Sequence, residues 1–307
     1  MAGIFQKLFG RSEEIDPNLD YQDATQDAPT LPLSPEKTME NNDQEVEISG
    51  IPQFVTGCAQ STGMQRDHNE DALFSLSMTL TSDETQTAFG LFIVADGMGG
   101  HRHGEIASGL AVRAMADQVT RKLLQPFVSL KAAGQADSIQ EILRDGVQEA
   151  HRAIKKDAPG GGTTMTAVLI FGNQLNVAHI GDSRAYQVDP DGSLHLLTRD
   201  HSLVKRLVEL GQITTEEAAV HPQRNVLYRA LGQGEPFDAD ISTSPLPKDG
   251  YLLLCSDGLW GVVAEQEISA MIRESESPQK ACQKMIEAAN RAGGPDNITA
   301  ILVKLPG

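Results

Sequence analysis

The sequence predicts an α+β fold with helices packed over antiparallel sheets, because strand patterns and helix patterns occur in separate blocks. MTAVLIFGNQLNVAHIGD contains two apolar runs joined by Gly172-Asn173, which is typical of a β-hairpin. RAYQVDPDGSLHLL repeats this pattern around Asp191 and Gly192. Three further stretches carry apolar residues at helical spacing and predict helices: GEIASGLAVRAMADQVTRKLL, ADSIQEILRDGVQEAHRAIKK and PQKACQKMIEAANRAGG.

The beginning of the chain differs in composition from the rest. Residues 1–50 carry many more acidic than basic side chains, with prolines interspersed. A segment with high net charge and few large apolar residues cannot bury enough surface to fold alone. The sequence therefore predicts a disordered acidic tail over residues 1–50 and a folded domain over residues 51–307.

Composition excludes several classes of partner and location. The formal net charge of -17 argues against binding to nucleic acid or to an anionic membrane surface, since both need clustered basic side chains. Cys58, Cys255 and Cys282 lack the spacing of a zinc site or a disulfide framework, which indicates a reducing compartment. No apolar run is long enough to cross a bilayer. We therefore expect a cytoplasmic protein with no stable membrane insertion.

Three acidic residues adjoin apolar strand patterns. Asp96 in FIVADGMGG and Asp257 in YLLLCSDGLWG follow such a run, and Asp296 in GGPDNITAILVKL precedes one. A single Asp-Gly pair predicts only a turn. Three carboxylates gathered at one rim of the sheets would repel one another, so their pKa values would rise or a cation would bind between them. Hard divalent ions such as Mg²⁺ or Mn²⁺ favour these oxygen ligands, and the pattern predicts a metal site.

An ordered series of short motifs identifies a family resemblance. The chain resembles the metal-dependent protein phosphatases of the 2C type, in their bacterial form, from about Gln53 to its C-terminus. The motifs are RDHNED (66–71), VADGMGGH (94–101), GGTTMTAVLI (161–170), AHIGDSRAY (178–186), LTRDHSLV (197–204), LYRALG (227–232), LLLCSDGLW (252–260) and GGPDNIT (293–299). The resemblance implies a four-layer α-β-β-α sandwich of two antiparallel sheets flanked by helices, with two Mg²⁺ or Mn²⁺ ions at one end.

The motifs carry the family's metal ligands onto particular residues. By resemblance, Asp96 bridges both ions, Asp257 and Asp296 bind the first ion, and the Gly97 carbonyl binds the second. A residue without a side chain is expected at position 97, so that the main-chain carbonyl of Gly97 can serve as a ligand.

Two further acidic positions in this carry-over have less defined roles. Asp71, with Glu70 beside it, matches positions that support the second ion directly or through water, and we favour Asp71. Asp182 matches a position associated with a third, weaker ion in bacterial members. A buried hydrogen-bonding turn residue is an equal alternative for Asp182.

Arg66 matches the arginine that grips the substrate phosphate, a task suited to a planar and permanently charged guanidinium. His101 is the candidate general acid for the leaving oxygen, and a metal-bound water is the alternative. We expect His103 and His201 to be structural or surface residues. Residues 204–232 resemble the mobile flap of the bacterial members, although an ordinary surface insertion would look similar.

The resemblance implies a serine/threonine protein phosphatase. It would hydrolyse phosphoserine and phosphothreonine by attack of a metal-bridging hydroxide, without a covalent phosphoenzyme. Its partners would be phosphorylated proteins, the products of a serine/threonine kinase, and we expect a monomer. The alternatives are an inactive regulatory module with this fold and a phosphatase of small phosphate esters. A cysteine-dependent phosphatase is excluded because no arginine lies six positions after any cysteine, and the chain has no P-loop motif.

Overall fold

Apolar runs form the strands of two antiparallel sheets in the computed structural model, which describes residues 53–82, 85–99, 103–129, 137–234 and 237–306. In chain order the strands are β1 (Val55–Ser61), β2 (Asp71–Ser82), β3 (Thr85–Met98), β4 (Gly162–Thr163), β5 (Met165–Phe171), β6 (Gln174–Ile180), β7 (Arg184–Val188), β8 (Leu194–Leu196), β9 (Asp240–Pro245), β10 (Tyr251–Cys255) and β11 (Ile298–Lys304). One sheet has the order β1-β11-β10-β7-β8. The other has the order β2-β3-β5-β6-β9, and β4 pairs with β3.

The helices lie between these strands in the sequence, and side-chain caps define several of their first turns. They are α1 (His103–Val119), which continues into a π-helical turn (Thr120–Leu124), α2 (Gln125–Val128), α3 (Ile139–Asp157), α4 (Leu203–Glu209), α5 (Thr215–Ala219), α6 (Asp257–Trp260), α7 (Glu265–Arg273) and α8 (Pro278–Arg291). Ser138 and Glu141 form a capping box at the start of α3. Ser277 caps α8, and the proline that follows it occupies the first helical position.

Three buried clusters separate four layers. Alternate residues of β3 point to opposite faces, so Leu91 and Ile93 pack with α1 and α3, whereas Phe92 and Val94 face the other sheet. The cluster between the sheets also contains apolar residues of β5, β10 and β11. A third cluster packs α7 and α8 against the outer face of β10 and β11. The predicted four-layer α-β-β-α sandwich is confirmed.

Most local predictions agree with this architecture. Gly172 has φ of 57° in the turn between β5 and β6, and Gly192 has φ of 93° between β7 and β8. The predicted helices correspond to α1, α3 and α8. One strand is longer than expected: β3 continues beyond Asp96, because Gly97 and Met98 pair with β4.

The predicted tail, residues 1–50, lies outside the described residues, so the division of the chain at residue 50 stays a prediction. Among the residues that the structure describes, no helix is both long enough and apolar enough to span a bilayer.

Candidate metal centre

Two of the predicted carboxylates face each other across neighbouring strands. Asp71 is the first residue of β2 and lies directly opposite Asp96 of β3. Directly opposed residues of an antiparallel pair project from the same face of the sheet, so the two carboxyl groups are neighbours. Burial raises the pKa of Asp71 to about 7, although hydrogen bonds from Thr299 and Ser256 oppose this rise. Burial, followed by the charge of Asp71, raises the pKa of Asp96 well above its usual range.

The other sheet contributes two more carboxylates to the same rim. Asp257 is the first residue of α6, just after β10, and Asp296 lies just before β11. Burial, followed by the charge of Asp296, raises the pKa of Asp257 to about 6, whereas a hydrogen bond with the Asp96 carboxyl group lowers it. The predicted convergence of Asp96, Asp257 and Asp296 therefore holds in this geometry, with Asp71 as a fourth member.

Two oxygens of this acidic group have no hydrogen-bond partner among the described residues. They are Oδ1 of Asp71 and Oδ1 of Asp257, and both are buried. Oδ2 of Asp71 is satisfied, because it accepts hydrogen bonds from Ser256 Oγ at 2.8 Å and Thr299 Oγ1 at 2.6 Å. A buried carboxylate oxygen without a donor costs free energy, and a bound cation removes that cost. The donor set is also the one that Mg²⁺ and Mn²⁺ prefer.

Asp296 is engaged by other groups. Arg66 donates from Nη2 to Oδ2 of Asp296 at 2.6 Å, and the Asn297 main-chain N–H donates to Oδ1 at 2.8 Å. Within the described ranges, no three His, Cys, Asp or Glu side chains form a ready-made ligand group. Carboxylate oxygens are nevertheless concentrated at this rim, and one of them, Oδ2 of Asp296, is paired with Arg66.

Close packing of the main chain around residue 97 requires a glycine at this position. Its N–H donates to the Glu70 carbonyl at 3.1 Å, and a Cβ at this position would overlap the carbonyl oxygens of Glu70 and Gly104. The end of β3 can approach the first turn of α1 only because residue 97 has no side chain. This reason for glycine is independent of whether its carbonyl binds an ion.

Asp182 lies in the loop between β6 and β7 and is only 7% exposed. Burial raises its pKa well above the usual range, and the charges of Asp257 and Asp200 raise it further, while Arg184 lowers it. Its main-chain carbonyl accepts a hydrogen bond from Trp260 Nε1 at 3.0 Å. Asp182 is therefore both a buried loop residue and a neighbour of the acidic group.

The acidic group opens into a cleft of about 750 Å³. Arg66, Asp182, Asp257 and Asp296 line one end of the cleft. The other lining residues come from α4, from α5 and the segment after it, and from the end of α6 and the segment after it; they include Val204, Lys205, Val208, Thr215, Ala218, Arg224, Trp260 and Val262. Residues of α4 and α5 therefore border the same cleft as Asp182, Asp257 and Asp296.

A family model described as Protein phosphatase 2C matches residues 57–298. The chain belongs to the protein phosphatase 2C family. Serine/threonine phosphatase stp of Listeria monocytogenes is 37% identical over 250 residues, which cover 79% of this chain and 92% of that protein. Serine/threonine protein phosphatase PstP of Mycobacterium tuberculosis is 35% identical over 244 residues, covering 78% of this chain and 43% of PstP.

Solved structures agree with this membership. The crystal structure of M. tuberculosis PstP has a TM-score of 0.67 at 31% identity and covers 83% of this chain and 100% of that chain. The PstP catalytic domain in complex with two manganese ions has a TM-score of 0.65 at 30% identity, with the same coverage. This protein phosphatase 2C is a metal-dependent serine/threonine protein phosphatase.

The phosphatase contains supporting residues that sequence reasoning missed. Thr164 Oγ1 accepts the Asp96 main-chain N–H at 2.9 Å and lies 2.6 Å from Ser183 Oγ. Thr163 Oγ1 donates to the Asp96 carbonyl at 2.8 Å. These contacts fix the main chain of Asp96 from both sides. The motif GGTTMT placed the threonines beside the site, but only their side-chain contacts reveal this role.

A second missed group lies at the cleft wall of the phosphatase. Arg184 donates to both oxygens of Asp200, at 3.0 and 2.7 Å, and to Tyr186 Oη at 2.9 Å. Its guanidinium carbon lies 3.5 Å from the ring centre of Trp260. Because Trp260 also binds the Asp182 carbonyl, this group connects α6 to the loop that carries Asp182. The motifs GDSR and TRDH gave no signal for the pairing of Arg184 with Asp200.

The histidines of the phosphatase occupy different positions. His101, the predicted general acid, lies outside the described residues. His103 is the exposed first residue of α1, and His201 is fully buried.

The predicted flap contains α4 and α5, which border the cleft through Val208, Thr215 and other residues.

Proposed function

We propose that this phosphatase dephosphorylates serine and threonine side chains of proteins at the rim where its carboxylates converge. The observation that carries the proposal is a pair of buried oxygens, Asp71 Oδ1 and Asp257 Oδ1, that have no donor among the described residues and belong to carboxyl groups of raised pKa. Uncompensated carboxylates at a cleft are an expected consequence of a site that is completed by cations.

Asp96, Asp257 and Asp296, together with the Gly97 carbonyl, are the proposed ligands of two Mg²⁺ or Mn²⁺ ions, with Asp71 in support. Asp182 is the proposed ligand of a third ion. The two manganese ions bound by the PstP catalytic domain support this assignment. When bound, such ions supply an activated water and offset negative charge on the phosphoryl oxygens. The chain then has to orient the phosphate and deliver a proton.

Arg66 is the proposed phosphate-binding residue. Its side chain is 47% exposed at the cleft, and the described residues give it one hydrogen bond, to Asp296. A guanidinium carries five N–H donors, so several donors remain for the phosphate oxygens. The charge of Arg66 also favours the ionised form of Asp257. Arg66 can therefore bind the substrate while it keeps the acidic group charged.

His101 remains the proposed general acid for the leaving serine or threonine oxygen. Replacing it with alanine should lower kcat and remove an ionisation on the alkaline side of the pH–rate profile. An unchanged profile would favour a water in this role.

The proposed substrates are proteins phosphorylated by a serine/threonine kinase, and the proposed location is the cytoplasm. Cys58, Cys255 and Cys282 are all free thiols, which supports a reducing compartment. We also propose that the phosphatase acts as a monomer.

The decisive experiment measures hydrolysis of a phosphothreonine peptide with Mn²⁺, with chelator and with Asp257→Asn. Asparagine keeps the shape of the side chain but lacks its charge, and we expect kcat to fall by about 100-fold or more. Asp117→Asn is the matched control, because Asp117 is 58% exposed and pairs with Arg121 on α1. Calorimetry of Mn²⁺ binding should show weaker binding for Asp257→Asn only.

The outcome also separates the alternatives. A wild-type chain that binds Mn²⁺ without turnover would support a regulatory module. Faster hydrolysis of small phosphate esters than of phosphopeptides would overturn the choice of protein substrates.

A further inference from the structure

The loop that carries Asp182 is held by a buried histidine. The Gly181 main-chain N–H donates to His201 Nδ1 at 3.1 Å, and the His201 main-chain N–H donates to the Gly181 carbonyl at 2.7 Å. His201 is 0% exposed. One residue therefore satisfies both main-chain groups of the glycine that precedes Asp182.

These contacts fix the state of the His201 ring. A ring nitrogen that accepts an N–H carries no proton, so Nδ1 is bare and the proton of the neutral ring lies on Nε2. Nε2 lies 3.2 Å from Asp240 Oδ2 and donates to it. Asp240 in turn accepts a hydrogen bond from Arg229 Nη1 at 3.2 Å. Asp240 and Arg229 thus hold the ring in the tautomer that binds Gly181.

His201 also contacts Tyr228 and adjoins the start of α4. The Tyr228 main-chain N–H donates to the His201 carbonyl at 2.9 Å, and the two rings lie 5.6 Å apart. The next residue, Ser202, caps α4. His201 therefore occupies a fixed place between the Asp182 loop and the start of α4, so its ring has little freedom to turn away from Gly181.

We infer that His201 is a positioning residue that holds the Gly181–Asp182 loop through its Nδ1 acceptor. The inference rests on the proposed function, in which Asp182 binds an ion. His201 does not touch substrate in this role. It sets the direction of the Asp182 side chain, because its two hydrogen bonds hold both main-chain groups of Gly181, whose φ of 108° glycine adopts readily and other residues rarely do.

Two amide substitutions distinguish the hydrogen bond at His201 Nδ1 from the hydrogen bond at Nε2. In His201→Asn, Oδ1 lies near the place of Nδ1 and can still accept the Gly181 N–H. In His201→Gln, the amide reaches toward Asp240, and the acceptor near Gly181 is lost. We expect hydrogen exchange of the Gly181 amide to speed up by about 5–10-fold in His201→Gln and to change little in His201→Asn.

Asp240→Ala is the matched control, since it removes the outer bond while the inner acceptor stays. Its Gly181 exchange should remain closer to wild type than that of His201→Gln. Equal exchange at Gly181 in the Asn and Gln variants would overturn the inference. The wild-type chain gives a test that does not depend on the folding of a variant: nitrogen NMR of the ring should show a bare Nδ1 and a protonated Nε2. A protonated Nδ1 would also overturn the inference.

Calorimetry of Mn²⁺ binding links the loop to the site. Asp182→Ala should weaken the binding of one Mn²⁺ ion, and His201→Gln should weaken the binding of the same ion. His201→Asn should bind this ion nearly as well as the wild type does. If Asp182→Ala leaves Mn²⁺ binding unchanged, the assignment of Asp182 in the proposed function fails, whereas the exchange result still decides the role of His201.

Discussion

At the scale of single residues, the site depends on neutral hydroxyl groups that position charged ones. Thr164 Oγ1 accepts the Asp96 main-chain N–H, and Ser256 and Thr299 donate to Asp71. Each hydroxyl satisfies a buried polar group, while Oδ1 of Asp71 and Oδ1 of Asp257 have no hydrogen-bond partner among the residues that the structure describes. The arrangement gives the acidic group a fixed geometry and keeps its capacity to bind ions.

Thr164→Val tests this arrangement. Valine has the shape of threonine without the hydroxyl, so the Asp96 N–H would be buried without an acceptor. We expect the free energy of unfolding to fall by about 1–3 kcal/mol, measured by urea denaturation in chelator. Thr164→Ser keeps the hydroxyl and should lose less stability than the valine variant. Equal losses would show that the methyl group, and not the hydrogen bond, matters at this position.

At the scale of secondary structure, the approach of α1 to the end of β3 brings the rim together. Gly97→Ala would place a methyl group against the carbonyls of Glu70 and Gly104. We expect a loss of about 1–3 kcal/mol from overpacking, together with lower affinity for Mn²⁺. Gly109→Ala is the matched control, because Gly109 lies in α1 and a Cβ there would meet no heavy atom of the described surroundings within 4 Å.

Gly109→Ala should stabilise α1 by about 0.5–1 kcal/mol, since alanine has the higher helix propensity. Thermal unfolding of both variants, compared with the wild type, checks the pair. A Gly97→Ala variant as stable as the wild type would show that the end of β3 can move away from α1 without cost.

Residues 206–222 of the predicted flap include no buried residue, so we expect that they can be removed without loss of the core. Among the described flap helices, α4 buries only Val204 and α5 buries no residue. Deletion of residues 206–222 would remove Val208 and Thr215 from the cleft wall but would leave every proposed metal ligand in place. We expect the ratio of kcat/KM between two phosphopeptides to change by about tenfold, with Mn²⁺ affinity unchanged. A comparable loss of Mn²⁺ affinity would contradict this division of roles.

At the scale of the whole molecule, sequence patterns predict elements better than they predict contacts between distant elements. The hairpin at Gly172 and the carboxylates at strand ends follow from local patterns. The position of Asp71 opposite Asp96 depends on the register of β2 with β3, and the hydroxyl of Thr299 reaches Asp71 only because the two sheets meet at this rim. The extension of β3 depends in the same way on β4, which follows it by more than 60 residues in the chain.

The pH dependence of stability is a property of the whole molecule, because buried groups in different elements change the free energy of unfolding in opposite directions as the pH rises. Burial raises the pKa of Asp71 to about 7 and of Asp257 to about 6, and lowers the pKa of buried His179 to about 4. A carboxyl group with a raised pKa contributes stability that is present at low pH and is lost as the pH rises through the folded-state pKa. His179 acts in the opposite direction, but only below about pH 6.5, where the unfolded chain gains a proton there.

Above about pH 6.5 the carboxyl groups therefore dominate. We expect the metal-free phosphatase to lose about 1 kcal/mol or more of unfolding free energy between about pH 6.5 and pH 8, because the folded state releases protons from its acidic group there. Saturating Mn²⁺ should remove this loss, since ions compensate the charged carboxylates and bind better at higher pH. Asp71→Asn should flatten the pH dependence in chelator. Urea unfolding at several pH values checks both effects, and a metal-free stability that rises over this range would show that the acidic group is already compensated by the protein itself.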